Sequence, residues 1–207
     1  MSLLICVVRQ DHITLCADTD ATRPDGSRFR TSKLLTLPHA NAALAGRGND
    51  GFLSAVYLHC LHFGGTDIEG MQAQMQTALM SVASQIIGSG ISYTDEKTGL
   101  DGGQEIILAG FSHREQRPMA RVYRGNIADG IFLQADIGAD SFAVAPATWD
   151  QGKENAPPLE TVADMAQVAR AQVAWLRTEK PGCAAGGDLI VAHIERDRMA
   201  ITRECAI

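Results

Sequence analysis

Serine at position 2, aspartate at 18, lysine at 33 and the Gly-Arg-Gly at 46–48 could together carry out acyl transfer. A serine hydroxyl is a poor nucleophile alone and needs a base. Ser2 follows Met1 directly, and a small second residue favours removal of the initiator methionine, so a free α-amine is expected on Ser2. Such an amine has a pKa of about 7.7–8.0 and accepts a proton at neutral pH, directly or through one water. One residue would then be both nucleophile and general base. A nearby ammonium lowers the amine's pKa by like-charge repulsion and keeps more of it neutral. Of the four lysines, Lys33 alone flanks an apolar strand-like run, which makes it the candidate. A partly buried ammonium needs a countercharge, and Asp18 is the obvious carboxylate. Acyl transfer also needs donors for the developing oxyanion. Glycines at 46 and 48 let backbone N–H groups come close to a ligand.

These residues must be brought together by the elements around them. Residues 3–9 and 13–18 read as two strands joined by a tight turn at Gln10-Asp11. A two-residue loop pairs Arg9 with His12, Val7 with Thr14, Ile5 with Cys16 and Leu3 with Asp18, so Ser2 and Asp18 share one end of one ladder. Residues 22–30 read as a polar loop around Pro24-Asp25-Gly26. Residues 33–37 and 41–45 form a second strand pair, closed by Gly46-Arg47-Gly48. Asn49 or Asp50 then caps a helix that runs to about residue 63. A second helix starts near Thr66 or Asp67, with Ile68, Met71, Met75, Ala78, Leu79, Val82 and Ile86 as its buried stripe.

Residues 88–103 read as a glycine-rich loop. Strands follow at 105–111, 119–124, 131–135 and 141–144, then a third helix at 162–176 and two strands at 188–195 and 199–203. Strands with apolar residues on both faces need cover on both sides. The pattern predicts one α/β (α+β) domain over residues 1–207. Its architecture is a four-layer αββα sandwich, two mainly antiparallel sheets covered by helices.

Composition narrows the partners. The net charge is −6, and no basic cluster offsets it, which argues against nucleic acid. Arg23, Arg28, Arg30 and Lys33 are interrupted by Asp25 and Gly26 and read as a solvated loop. No stretch of 18 apolar residues is present, so no membrane span is expected. The start lacks a basic leader and its apolar run ends at Arg9, so no signal peptide is expected. Five cysteines without metal spacing read as reduced thiols of a cytoplasmic protein, with Cys6 and Cys16 in the core. His59 and His62 stand at i, i+3 but lack a third ligand, so no metal is expected, nor any cofactor.

The sequence resembles the proteasome-type N-terminal nucleophile (Ntn) hydrolases, the proteasome β subunits and the simpler bacterial proteasome-like peptidases. The matching segments are LCADTDAT with Asp18, TSKLLTL with Lys33 and AALAGRGN with Gly46, followed by QEIILAGF and AAGGDLIVAHI. The resemblance implies Ser2 as nucleophile with its own amine as base. It also implies that Lys33 tunes that amine, that Asp18 holds Lys33, and that the Gly46 N–H forms the oxyanion hole. Thr22, Gly46 and Gly48 match positions whose backbone pairs with an extended substrate. It further implies a peptide or protein substrate, a homo-oligomeric ring and a separate ATPase partner. Three features depart from the pattern. Serine replaces threonine at the nucleophile, Ala185-Gly186-Gly187 replaces Ser-Gly-Gly with Gly182 in place of an Asp, and Asp20 stands where an arginine is usual. These departures leave a catalytically weak or inactive scaffold protein of the same fold as the alternative.

Overall fold

β1 (Leu4–Val8) and β2 (His12–Asp18) form the first hairpin. Ile5 lies opposite Cys16 and Val7 opposite Thr14, the register that the two-residue turn dictates. The computed structural model describes residues 2–23, 25–63, 65–89, 103–145, 159–179 and 184–207. Met1, Pro24 of the 22–30 segment, Gly182 and most of the 88–103 loop lie outside the described residues.

The chain continues through β3 (Asp20–Thr22), β4 (Arg28–Arg30), β5 (Leu34–Leu37) and β6 (Ala42–Arg47). Two helices follow, α1 (Asp50–Phe63) and α2 (Ile68–Gly88). Then come β7 (Gly103–Ser112), β8 (Arg117–Asn126), β9 (Ile131–Ile137) and β10 (Ser141–Ala145). α3 (Val162–Glu179), β11 (Asp188–Glu195) and β12 (Met199–Ala206) complete the order. One sheet has the order β10-β1-β2-β11-β12 and the other β5-β6-β7-β8-β9, with β3-β4 as a small separate ribbon. Neighbouring strands are antiparallel in all three.

Side-chain alternation builds the layers. Leu4, Cys6 and Val8 of β1 join Leu15 and Ala17 of β2 against Ala43, Ala45, Ile107 and Ala109 of the second sheet. Small alanines on the facing strands let the two sheets approach closely. The opposite phase of β1, Ile5 and Val7 with the preceding Leu3, packs on Met165, Ala169, Val173 and Leu176 of α3. On the far side Leu44, Ile106, Leu108 and Tyr123 pack against Phe52, Val56, Met71, Met75 and Leu79 of α1 and α2. The result is the four-layer sandwich: α3, first sheet, second sheet, α1 with α2. Among the described residues no helix is long and apolar enough to cross a membrane.

Two local expectations are corrected. The 22–30 segment is not simply a loop, because Asp20 pairs with Arg30 and Thr22 with Arg28 across the β3-β4 ribbon. Opposite charges on facing strands support such pairing, and the Arg23 guanidinium lies over the Phe29 ring at 4.6 Å. Lys33 is not solvated with the neighbouring arginines but buried.

Candidate active site

β2 ends at Asp18, and the fold closes completely over its side chain, which is 0% exposed. A carboxylate there must be hydrogen-bonded or paired, and three groups do this. The Lys33 ammonium donates to Oδ1 at 2.9 Å and the Leu3 N–H donates to the same oxygen at 3.1 Å. The Gly186 N–H donates to Oδ2 at 3.1 Å. Lys33 also donates to the backbone carbonyl of Asp20. Burial pushes the Asp18 carboxyl above its ordinary value; the Lys33 ammonium and the Gly186 and Leu3 N–H groups pull it down without cancelling that rise.

The Leu3 bond matters for Ser2. The peptide unit is planar, so fixing the Leu3 N–H also fixes the Ser2 carbonyl and Cα. Ser2 is itself buried. The Lys33 ammonium and the Leu3 N–H therefore meet at one carboxylate oxygen of Asp18, one peptide unit from Ser2.

Two further segments hold this end in place. The Thr19 and Asp20 N–H groups both donate to the Gly186 carbonyl, at 3.3 and 3.1 Å. The Asp188 N–H donates to the Thr19 hydroxyl at 2.9 Å. Gly186 has φ of +127°, so it can turn its N–H into Asp18 where another residue would be strained. Asp188 in turn accepts from Arg30 at 2.8 Å and from Arg203 at 2.5 Å. Ala185, in the place of the expected serine, is buried and brings no hydroxyl.

The turn after β6 lies beside Lys33. The Gly46 N–H donates to the Lys33 carbonyl at 3.0 Å, extending the β5-β6 ladder. This donor, read from the sequence as the oxyanion hole, already has an acceptor. Along a strand N–H groups alternate sides, so the Gly48 N–H is the next on that edge. Among the described residues none accepts a hydrogen bond from it. Gly48 has φ of +117°, and a Cβ there would run into the Gln104 side chain. Gln104 Oε1 accepts from the Asn49 N–H at 2.9 Å, which fixes the turn. Arg47, between the glycines, pairs with Glu105 at 2.5 Å, and Glu105 also pairs with Arg124 at 2.8 Å. The Thr22 hydroxyl accepts from the Ala184 N–H at 3.1 Å, while the Thr22 backbone pairs with Arg28.

The structure thus brings together Ser2, Asp18, Lys33 and Gly46, with Gly48 one alternation further on. Sequence reasoning missed the Leu3 N–H, Thr19, Gln104 and the Arg30–Asp188–Arg203 network. The Gly-Gly-Asp at the start of β11 was the one visible signal for these supporting contacts. Among the described residues no three His, Cys, Asp or Glu side chains converge as metal ligands would.

No family model matches the chain, and no curated protein matches it. Solved structures do. One is the Anbu (Gly-1) mutant from Hyphomicrobium sp. strain MC1, at 16% identity and a TM-score of 0.66, covering 100% of this chain and 87% of that one. Another is Anbu (ancestral beta-subunit) from Yersinia bercovieri, at 14% identity and a TM-score of 0.61, covering 98% and 87%. These findings correct the assignment to the proteasome β subunits and the bacterial proteasome-like peptidases. The chain has the fold of the Anbu structures.

Proposed function

We infer that this chain is an N-terminal nucleophile amidohydrolase acting on peptide bonds, with Ser2 as nucleophile. The observation that carries the reading is the shared acceptor. Asp18 Oδ1 receives both the Leu3 N–H and the Lys33 ammonium, with both side chains buried. Such an arrangement is costly unless used, because a buried ion pair recovers its desolvation only with good geometry.

In this reading, loss of Met1 frees the Ser2 α-amine. The amine takes the hydroxyl proton as Oγ attacks the substrate carbonyl carbon. The C–N bond then breaks, the departing amine takes that proton, and an ester remains on Oγ. Water attacks the ester and gives a proton to the α-amine; the C–Oγ bond then breaks, that proton returns to Oγ, and the acid product leaves. Lys33 keeps the α-amine neutral by repulsion. Asp18 holds Lys33 in place. The oxyanion is received at the 46–48 turn, where the Gly48 N–H is the uncommitted donor and the Gly46 N–H, engaged with Lys33, is a shared one. Thr22 and Gly48 flank an extended substrate.

The chain acts as a homo-oligomer, supplied with unfolded substrate by a separate ATPase. The buried methyl of Ala185, where a hydroxyl would relay protons, favours a second reading: a scaffold of this fold with weak or no turnover. A panel of fluorogenic peptides decides between them. The hydrolase reading expects cleavage that disappears in Ser2→Ala, whereas a scaffold cleaves none of the panel above background.

A further inference from the structure

The two outer layers of the sandwich differ in charge. The exposed side of α3 carries Arg170, Arg177 and Glu179. α1 and α2 carry no lysine or arginine, and their two carboxylates, Asp50 and Glu69, sit in the first turns. Yet both helices present large apolar side chains to the outside: Leu58 and Leu61 on α1, Met80 and Ile87 on α2, with Met80 49% and Ile87 50% exposed.

On α2 the exposed residues Ala73, Thr77, Met80, Ser84 and Ile87 follow a 4-3-4-3 spacing. This is the seam of a helix that packs against another helix. It lies outside the stripe already buried against the second sheet, so it is a second seam, of small and apolar residues, that no core residue covers among the described residues.

We propose that this seam is a two-fold interface with α2 of a second copy of the chain. The seam is centred on Met80. Antiparallel pairing about that centre sets Met80 against Met80 and Ala73 against Ile87, with Thr77 and Ser84 in the layers between, so that a small residue receives a large one. A two-fold interface must complement itself in this way. Charge selects the same occupant. Each chain carries a net −6, so two copies repel through most of their surfaces. The α1-α2 layer is a face with almost no charge of either sign, and it offers a foreign charged partner nothing to pair with. Leu58 and Leu61 on the adjoining helix extend the apolar area beside the seam.

The proposal rests on the homo-oligomeric reading above and adds the surface and its register. Met80→Cys, treated with a short bismaleimide whose reach suits the about 8–10 Å between packed helix axes, is expected to yield a species at twice the chain mass of 22.2 kDa. Wild type and Gln167→Cys on α3 should not. Ala73→Glu should lower the sedimentation coefficient, and adding Ile87→Lys should restore it, because residue 73 faces residue 87 of the other copy. Circular dichroism on each variant checks folding. Crosslinking of Met80→Cys no greater than in wild type, or a folded Ala73→Glu that sediments as wild type does, overturns the interface. If wild type sediments as a monomer, the homo-oligomeric reading falls with it. If wild type is oligomeric and these variants are unaffected, only this surface falls.

Discussion

Lys33 and Asp18 meet at 2.9 Å, with the Asp18 side chain fully buried and the Lys33 side chain only 5% exposed. Removing one member of such a pair leaves an uncompensated charge. Lys33→Met should therefore destabilise the fold by about 3–5 kcal/mol, read as a lower urea midpoint. The double variant Asp18→Asn/Lys33→Met should recover part of that loss. Hydrolysis should drop about 10²–10⁴-fold in both, as expected when acid–base function is lost.

The pH dependence has opposite signs for stability and for activity. Burial raises the Asp18 carboxyl in the folded chain above its ordinary 3.8. Its contribution to stability is full below 3.8 and is lost as pH rises through the raised value. Turnover needs the carboxylate that holds Lys33, so kcat/KM should fall as pH drops through that same raised value. Urea midpoints of wild type and Asp18→Asn across the acid range, beside a kcat/KM profile, check both signs.

Gly48→Ala places a methyl group against Gln104 at a backbone angle that favours glycine. Alanine at positive φ should cost more than about 1 kcal/mol. Adding Gln104→Ala removes the contact but not the backbone strain, so chemical denaturation should show only partial recovery. Cleavage should fall in both variants because the Gly48 N–H moves.

The core cysteines should be silent in the folded chain. Burial pushes the Cys6 thiol up to about 12 and Cys60 to about 11, and raises Cys16 as well. Thiolate is the reactive form. A thiol reagent at mildly alkaline pH, mapped by peptide mass, should leave these three unmodified until denaturant is added.

The β1-β2 hairpin was legible because a two-residue turn and an apolar run fix one register, and that register carries Ser2 to Asp18. The four layers were legible from strands apolar on both faces. Lys33 was legible by type and position, but its burial was not. Burial depends on Gly186, 168 residues beyond Asp18, closing over the same carboxylate. The Leu3 N–H was invisible because every residue carries one, and only the folded register aims this one at Asp18. Gln104 was invisible because its fit to Gly48 exists only once β6 and β7 pair. The β3-β4 ribbon was missed because three-residue strands leave too short a pattern to read.

The central claim is that Ser2 supplies both the nucleophile and the base. Intact-protein mass before and after treatment with a peptide epoxyketone tests it most directly, because that group bonds to both the hydroxyl and the free α-amine of one residue. The account predicts a chain lacking Met1 that gains one inhibitor mass on Ser2, and no gain in Ser2→Ala. A chain that retains Met1, or one that gains the same mass after Ser2→Ala, contradicts it.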